Sequence, residues 1–187
     1  MAAIRTGLHI STVTLGTSHR VCAIWRVRDH TDAPPTSSTD TVSPCALPTA
    51  LLLPRRGAEQ DWAVETVLAA LRERGGGDGP SCATLSTSAD GIRLTSLRRG
   101  LCDADLLELA RTGLGEGQRE WAALAARDPA AFHAAAPAPY VLRRHAAAFH
   151  VRRPDGGGHA RLVHRRSEEV LRAFTAGPPG QYTDHED

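Results

Sequence analysis

Apolar residues at Val64, Val67, Leu68 and Leu71 fall at i, i+3, i+4 and i+7, which lays a single stripe along a helix. Asp61 is placed to cap that helix and the glycine-rich run 75–80 to stop it. The stretch CDADLLELA, residues 102–110, predicts a second helix, with two acids in its first turn facing the positive end of the dipole and Gly113 and Gly115 ending it. A third runs from about 117 to 127, turns Trp121 and Leu124 inward, and stops at Asp128-Pro129, where proline denies the next turn its donor. Pro137 and Pro139 open a fourth, on which Tyr140, Val141, His145, Ala148 and Phe149 crowd to one side. The sequence VRRPDGGGHARLVH, residues 151–164, then predicts a hairpin turning at Pro154-Asp155-Gly156. Ser167 caps a closing helix that points Val170, Leu171 and Phe174 inward.

Strand-like alternation is weaker. Residues 81–99 are indeterminate, although 92–96 alternate like a short strand, while 8–15 and 21–27 promise no more than a marginal hairpin. Because residues 1–58 are otherwise rich in Ser, Thr and Pro, they read as a disordered leader. The organisation that follows is a leader over 1–58, a module over 59–175 and a disordered tail over 176–187. The fold class expected is mainly α, a small helical bundle carrying a β-hairpin wing. No segment repeats at a fixed period, so solenoids and propellers are excluded.

All 22 basic residues are arginine, and asparagine is as absent as lysine, the signature of a GC-rich gene rather than of a nucleic-acid binder. The formal net charge of +1 agrees. Charge is nonetheless uneven. Residues 140–174 hold Arg143, Arg144, Arg152, Arg153, Arg161, Arg165, Arg166 and Arg172 against Asp155, Glu168 and Glu169. The first seven are the candidate contacts for a partner protein or for a phosphate backbone, which would bind with strong salt dependence.

No catalytic constellation stands out. Without lysine, the glycines at 75–79 cannot form a phosphate-binding loop. His133, His145, His150, His159 and His164 lack the i, i+3 or i+4 spacing of helical metal ligands, so neither metal nor cofactor is expected. Cys22, Cys45, Cys82 and Cys102 show no C-x-x-C pair and no secretory signal precedes them, so neither a disulfide framework nor a zinc ribbon is expected. Cys82 and Cys102 read as buried and inert, since nothing near Cys102 would stabilise a thiolate. No apolar run reaches the roughly 20 residues of a membrane span. An intracellular, cytoplasmic setting follows, with organelle targeting as the alternative because the leader is free of acids before Asp29.

Three sets of residues carry a resemblance. LRRGLCDADLLEL at 97–109, the spacing of Asp155-Gly156, His164-Arg165 and Glu169-Val170, and the helix over 64–76 resemble the winged-helix segment of NACHT and WD-repeat proteins of the STAND class of signalling ATPases. The resemblance covers about residues 62–175. Between Gly75 and Leu97 that family carries a hydrophobic helix where this chain reads SCATLSTSADG. Neither the family's ATP-binding loop nor its WD repeats match anything in this chain, so what the resemblance implies is a non-enzymatic regulatory or protein-contact module. YVLRRHAAAFHV at 140–151, with the hairpin after it, is also similar to the RNA-associated LOTUS winged helix, which would imply an RNA or DNA partner.

Overall fold

A computed structural model describes residues 6–28, 47–75, 77–88, 91–152 and 158–163. Among the described residues, seven strands form one antiparallel sheet: β1 (Thr6–Leu15), β2 (Ser18–Arg28), β3 (Leu47–Leu52), β4 (Gly79–Ser88), β5 (Gly91–Arg99), β6 (Ala147–Arg152) and β7 (Gly158–Val163). Their spatial order is β5-β4-β1-β2-β3-β6-β7. Helix α1 (Ala58–Glu73) carries the chain from β3 back over the sheet to β4. Three more helices, α2 (Ala104–Leu114), α3 (Gln118–Arg127) and α4 (Pro129–Ala135), lie between β5 and β6.

The strand register sorts side chains onto two faces, because successive residues of a strand point to opposite sides. Leu8 and Ile10 stand opposite Leu85 and Ala83 of β4, and Ile10 opposite Ile24 of β2. This first face is covered by α1, whose Ala63, Val64, Val67 and Leu71 are buried and whose Glu59 pairs with Arg26. The second face carries Ser11, Ala23, Cys82, Trp25 and Leu52, since these residues are partners in register. It is covered by α2 to α4: Gly113 of α2 sits so close over Leu52 that an added Cβ would meet that side chain at 2.3 Å. The molecule is therefore layered helix, sheet, helices.

Between Ser11/Ala23 and Thr12/Val21 the register of β1 and β2 slips, leaving Cys22 as the extra residue of a β-bulge. The bulge turns Cys22 into a second core cluster with Val13, Trp121, Ala125, Phe132 and Ala136. Trp121 and Phe132 meet edge to face there, with centroids 6.2 Å apart.

Part of the helical punctuation read from sequence is found in the chain, but Asp61 lies inside the first turn of α1, whose cap position is Gly57, and Gly113 lies within α2 rather than ending it. Gly115 closes α2 at φ 81°, a left-handed position suited to glycine. Asp128 ends α3 and also caps α4, its Oδ1 accepting from the Ala131 amide at 3.0 Å with Pro129 in the first turn.

The fold class is corrected. This is an α/β protein built on a broad sheet, not a mainly α winged helix. Strands β1, β2 and β3, the middle three of the sheet, come from the segment expected to be a disordered leader. The two strands expected around 151–164 do pair, as β6 and β7, while the Pro154-Asp155-Gly156 turn lies outside the described residues; they make no free wing, because β6 also pairs with β3 and continues the sheet. The fourth helix is replaced by an irregular segment leading into β6. Its backbone bonds elsewhere: the Arg143 and Arg144 amides both donate to Gly113 O, and the Leu52 amide donates to Ala146 O. The Tyr140 hydroxyl is spent on Leu53 O at 2.7 Å. The closing helix expected after Ser167 and the tail from 176 lie outside the described residues.

Candidate functional site

Among the described residues, polar or exposed groups gather at several places. The first is interior. Gln118, at the start of α3, is fully buried and makes three hydrogen bonds: its Nε2 donates to Thr12 O at 3.0 Å and Ser81 O at 2.8 Å, and its Oε1 accepts from the Cys102 amide at 2.9 Å. Beside it Cys82 of β4 is joined to Cys102 in a disulfide, with Cα atoms 5.4 Å apart. The expectation that these cysteines are unpaired is thereby corrected; they come together only because β5 returns the chain past β4. Every polar atom of the Gln118 side chain is engaged, so this centre fastens layers together and offers nothing to a substrate.

The second lies under α4. Arg20 is 4 % exposed, its guanidinium stacked on Trp121 with Cζ 4.0 Å from the ring centre, donating to Ala135 O at 3.2 Å and to Ala138 O. Glu116 lies 3.7 Å away and is itself 45 % exposed, so solvent screens the pair. Burial lowers the Arg20 pKa, and the neighbouring Cys22 and Glu116 act against that, while the guanidinium stays charged. Burial also pushes the Cys22 thiol far above its ordinary range, which removes it as a nucleophile.

On the opposite face His19 pairs through Nδ1 with Thr14 Oγ1 at 3.0 Å. Burial lowers its pKa first, and the charge of Arg72 adds to this. The folded protein thus binds a proton at His19 more weakly than the unfolded chain does. Its contribution to stability is present above pH of about 6.5 and is lost as pH falls through the unfolded and then the folded pKa. Thermal melts between pH 7.5 and pH 5 are expected to show the midpoint falling, with a smaller fall in His19→Gln; an unchanged slope in that variant would assign the effect elsewhere.

A shallow cavity of about 320 Å³ lies between α2 and α3, lined among others by Asp105, Glu108, Arg111, Arg119 and Glu120. Its charges are of mixed sign, and Glu120 is committed to the Gly117 amide at 2.8 Å. Among the described residues no group of three or more His, Cys, Asp or Glu is placed to hold a metal ion. No described helix is long and apolar enough to cross a membrane, which leaves strands unaddressed.

The third place is the end of the sheet. Among the described residues, nothing pairs with the outer side of β5. Register places Arg93, Ser96 and Arg98 on one face, opposite Ser86, Thr84 and Cys82, and Ile92, Leu94 and Leu97 on the face beneath α1, with Thr95 the extra residue of a bulge. All three residues of the first set are exposed and all three apolar ones partly buried. Trp62 of α1 is 49 % exposed and lies against Gly91, where an added Cβ would meet the indole at 2.4 Å. Arg98 shares an ion pair with Asp103 at 2.9 Å, both side chains being half exposed or more.

Of the arginines selected from sequence, Arg143, Arg144, Arg152 and Arg161 fall on described residues. Arg143 and Arg144 are exposed beside the end of α2, where the Arg143 side chain passes Gly115. Arg152 ends β6 and Arg161 stands in β7 opposite Phe149, while Arg153, Arg165 and Arg166 lie outside the described residues. The β5 edge was missed. Its one visible signal was Trp62, an aromatic residue off the apolar stripe of an otherwise amphipathic helix.

No family model matches the chain, and no curated protein matches it. Among solved structures it is similar to an L-amino acid ligase from Bacillus licheniformis, at 13% identity and a TM-score of 0.55 over 80% of this chain. The match covers 35% of the ligase chain, so this chain spans about a third of that protein's length. At such identity the likeness is one of fold.

Proposed function

We propose that this chain is a protein-contact module that works by sheet extension, its β5 edge accepting an extended segment of a partner protein. The observation that carries this reading is the end of the sheet: β5 has no neighbour on its outer side among the described residues, and half-exposed Trp62 stands beside it. An unpaired edge presents a row of backbone donors and acceptors, and an adjacent aromatic gives an incoming strand something to bury. The interior polar groups point the same way. Gln118 and Arg20 join layers, and Cys82 and Cys102 are tied to each other, so these four residues serve cohesion.

The likeness to the ligase adds context. The match covers 35% of that chain and shows a shared arrangement of strands and helices. Ligase activity is not part of the proposal, because architecture shared at 13% identity does not carry chemistry with it. Hydrogen exchange tests the reading. A nine-residue peptide alternating serine and valine, capped at both ends, is expected to slow amide exchange across 91–99 while leaving β1 and β2 unchanged. Protection elsewhere with none in β5 would refute edge addition.

A further inference from the structure

Resting on that reading, we infer that the partner segment is an acidic amphipathic strand, with carboxylates on one side and apolar residues on the other. The two sides of β5 differ in kind. Arg93 and Arg98 project from one face with Ser96 between them, and β5 itself carries no acid. Ile92, Leu94 and Leu97 project from the other, towards α1 and Trp62, and Arg99 follows them at the strand's end, where its guanidinium lies by Gly77. An added strand has the same two-residue period, so its side chains stand beside one set or the other in alternation. Carboxylates opposite the arginines and apolar groups beside Trp62 satisfy both sides at once.

Asp103 already occupies Arg98, but that pair is solvent-exposed on both partners and is readily exchanged for another carboxylate. Arg93 has no ion-pair partner among the described residues. The same features reject a second copy of the chain. Pairing β5 with β5 antiparallel brings the two arginine faces side by side, and like charges in adjacent strands repel. The bulge at Thr95 further narrows what pairs with the edge.

Three capped nine-residue peptides test the inference: valine alternating with glutamate, with serine and with lysine. Trp62 supplies the signal, because Trp25 and Trp121 are buried and only Trp62 has solvent to lose. The glutamate peptide is expected to bind about five- to tenfold more tightly than the serine peptide at low salt, with the lysine peptide weakest. That advantage is expected to shrink to about twofold in 0.5 M salt, and likewise in Arg93→Ser/Arg98→Ser, whose fold is checked by circular dichroism. Equal binding of the glutamate and serine peptides overturns the acidic preference and leaves edge addition standing. Binding of none of the three overturns edge addition itself. Displacement of the glutamate peptide by a twelve-residue oligouridine at lower concentration than unlabelled peptide overturns the inference in favour of a nucleic-acid partner.

Discussion

Gln118→Ala is expected to lower stability by about 4 kcal/mol, the largest loss from any single side chain outside the apolar core. The substitution strands three backbone groups at once: Thr12 O, Ser81 O and the Cys102 amide, all facing a site that is fully buried. Each stranded group costs about 1–3 kcal/mol, and the space left by the amide adds a cavity. For an ordered unit of this size the midpoint of thermal unfolding should fall by about 8–16 °C. Gln118→Met separates the causes, since it fills the space without the hydrogen bonds. Recovery of most of the loss by methionine would show that packing, not the polar junction, holds α3 to the sheet.

Removing the Cys82–Cys102 bond is expected to cost about 3 kcal/mol, because it frees a loop of 20 residues in the unfolded chain. Cys82→Ala/Cys102→Ala should therefore melt about 6–12 °C below the parent, and a strong reductant should bring the parent down to the variant. The variant itself should not respond to reductant. Peptide mapping without reduction should recover residues 82 and 102 cross-linked; recovery of both as free thiols, with no effect of reductant on melting, would remove the bond from the account. The two perturbations are adjacent, as the Cys102 amide donates to Gln118, so their losses should not add.

How far the sequence reached depends on how each element is buried. Helices α1, α2 and α3 were legible because each buries one side only, as the stripe Val64, Val67 and Leu71 shows, and because Gly115 and Asp128-Pro129 mark ends chemically. The β6–β7 hairpin and β5 were also legible in outline. Central strands β1 and β2 were legible only as a marginal hairpin over 8–15 and 21–27, not as the middle of a broad sheet. They are covered by helices on both faces, so the in-and-out alternation of a half-buried strand is missing, and the buried set includes Ser11, Thr12, Thr14 and Arg20. A chain with such residues in its core reads as a polar leader.

The irregular stretch after Pro139 misled for a different reason. Tyr140 and Ala148 are buried as a helical stripe would bury them, but Ala148 lies in a strand and Tyr140 is anchored on Leu53 O. Of the interior junction nothing was visible beforehand. A glutamine at a helix start is ordinary, and Cys82 with Cys102 has no telling spacing; only the return of β5 along β4 brings them to one point.

Strand β3 pairs on one side with β2 and on the other with β6, where Leu47 faces His150 and Leu51 faces Ala147. Nearly the whole described chain must leave the ribosome before that second seam can close. Until then β3 is a nascent border whose backbone is answered on one flank only, and contacts between such distant positions make for slow folding. The interval between making β3 and making β6 is thus when a growing chain is most exposed to mispairing, and when a chaperone that shields extended segments would help it most.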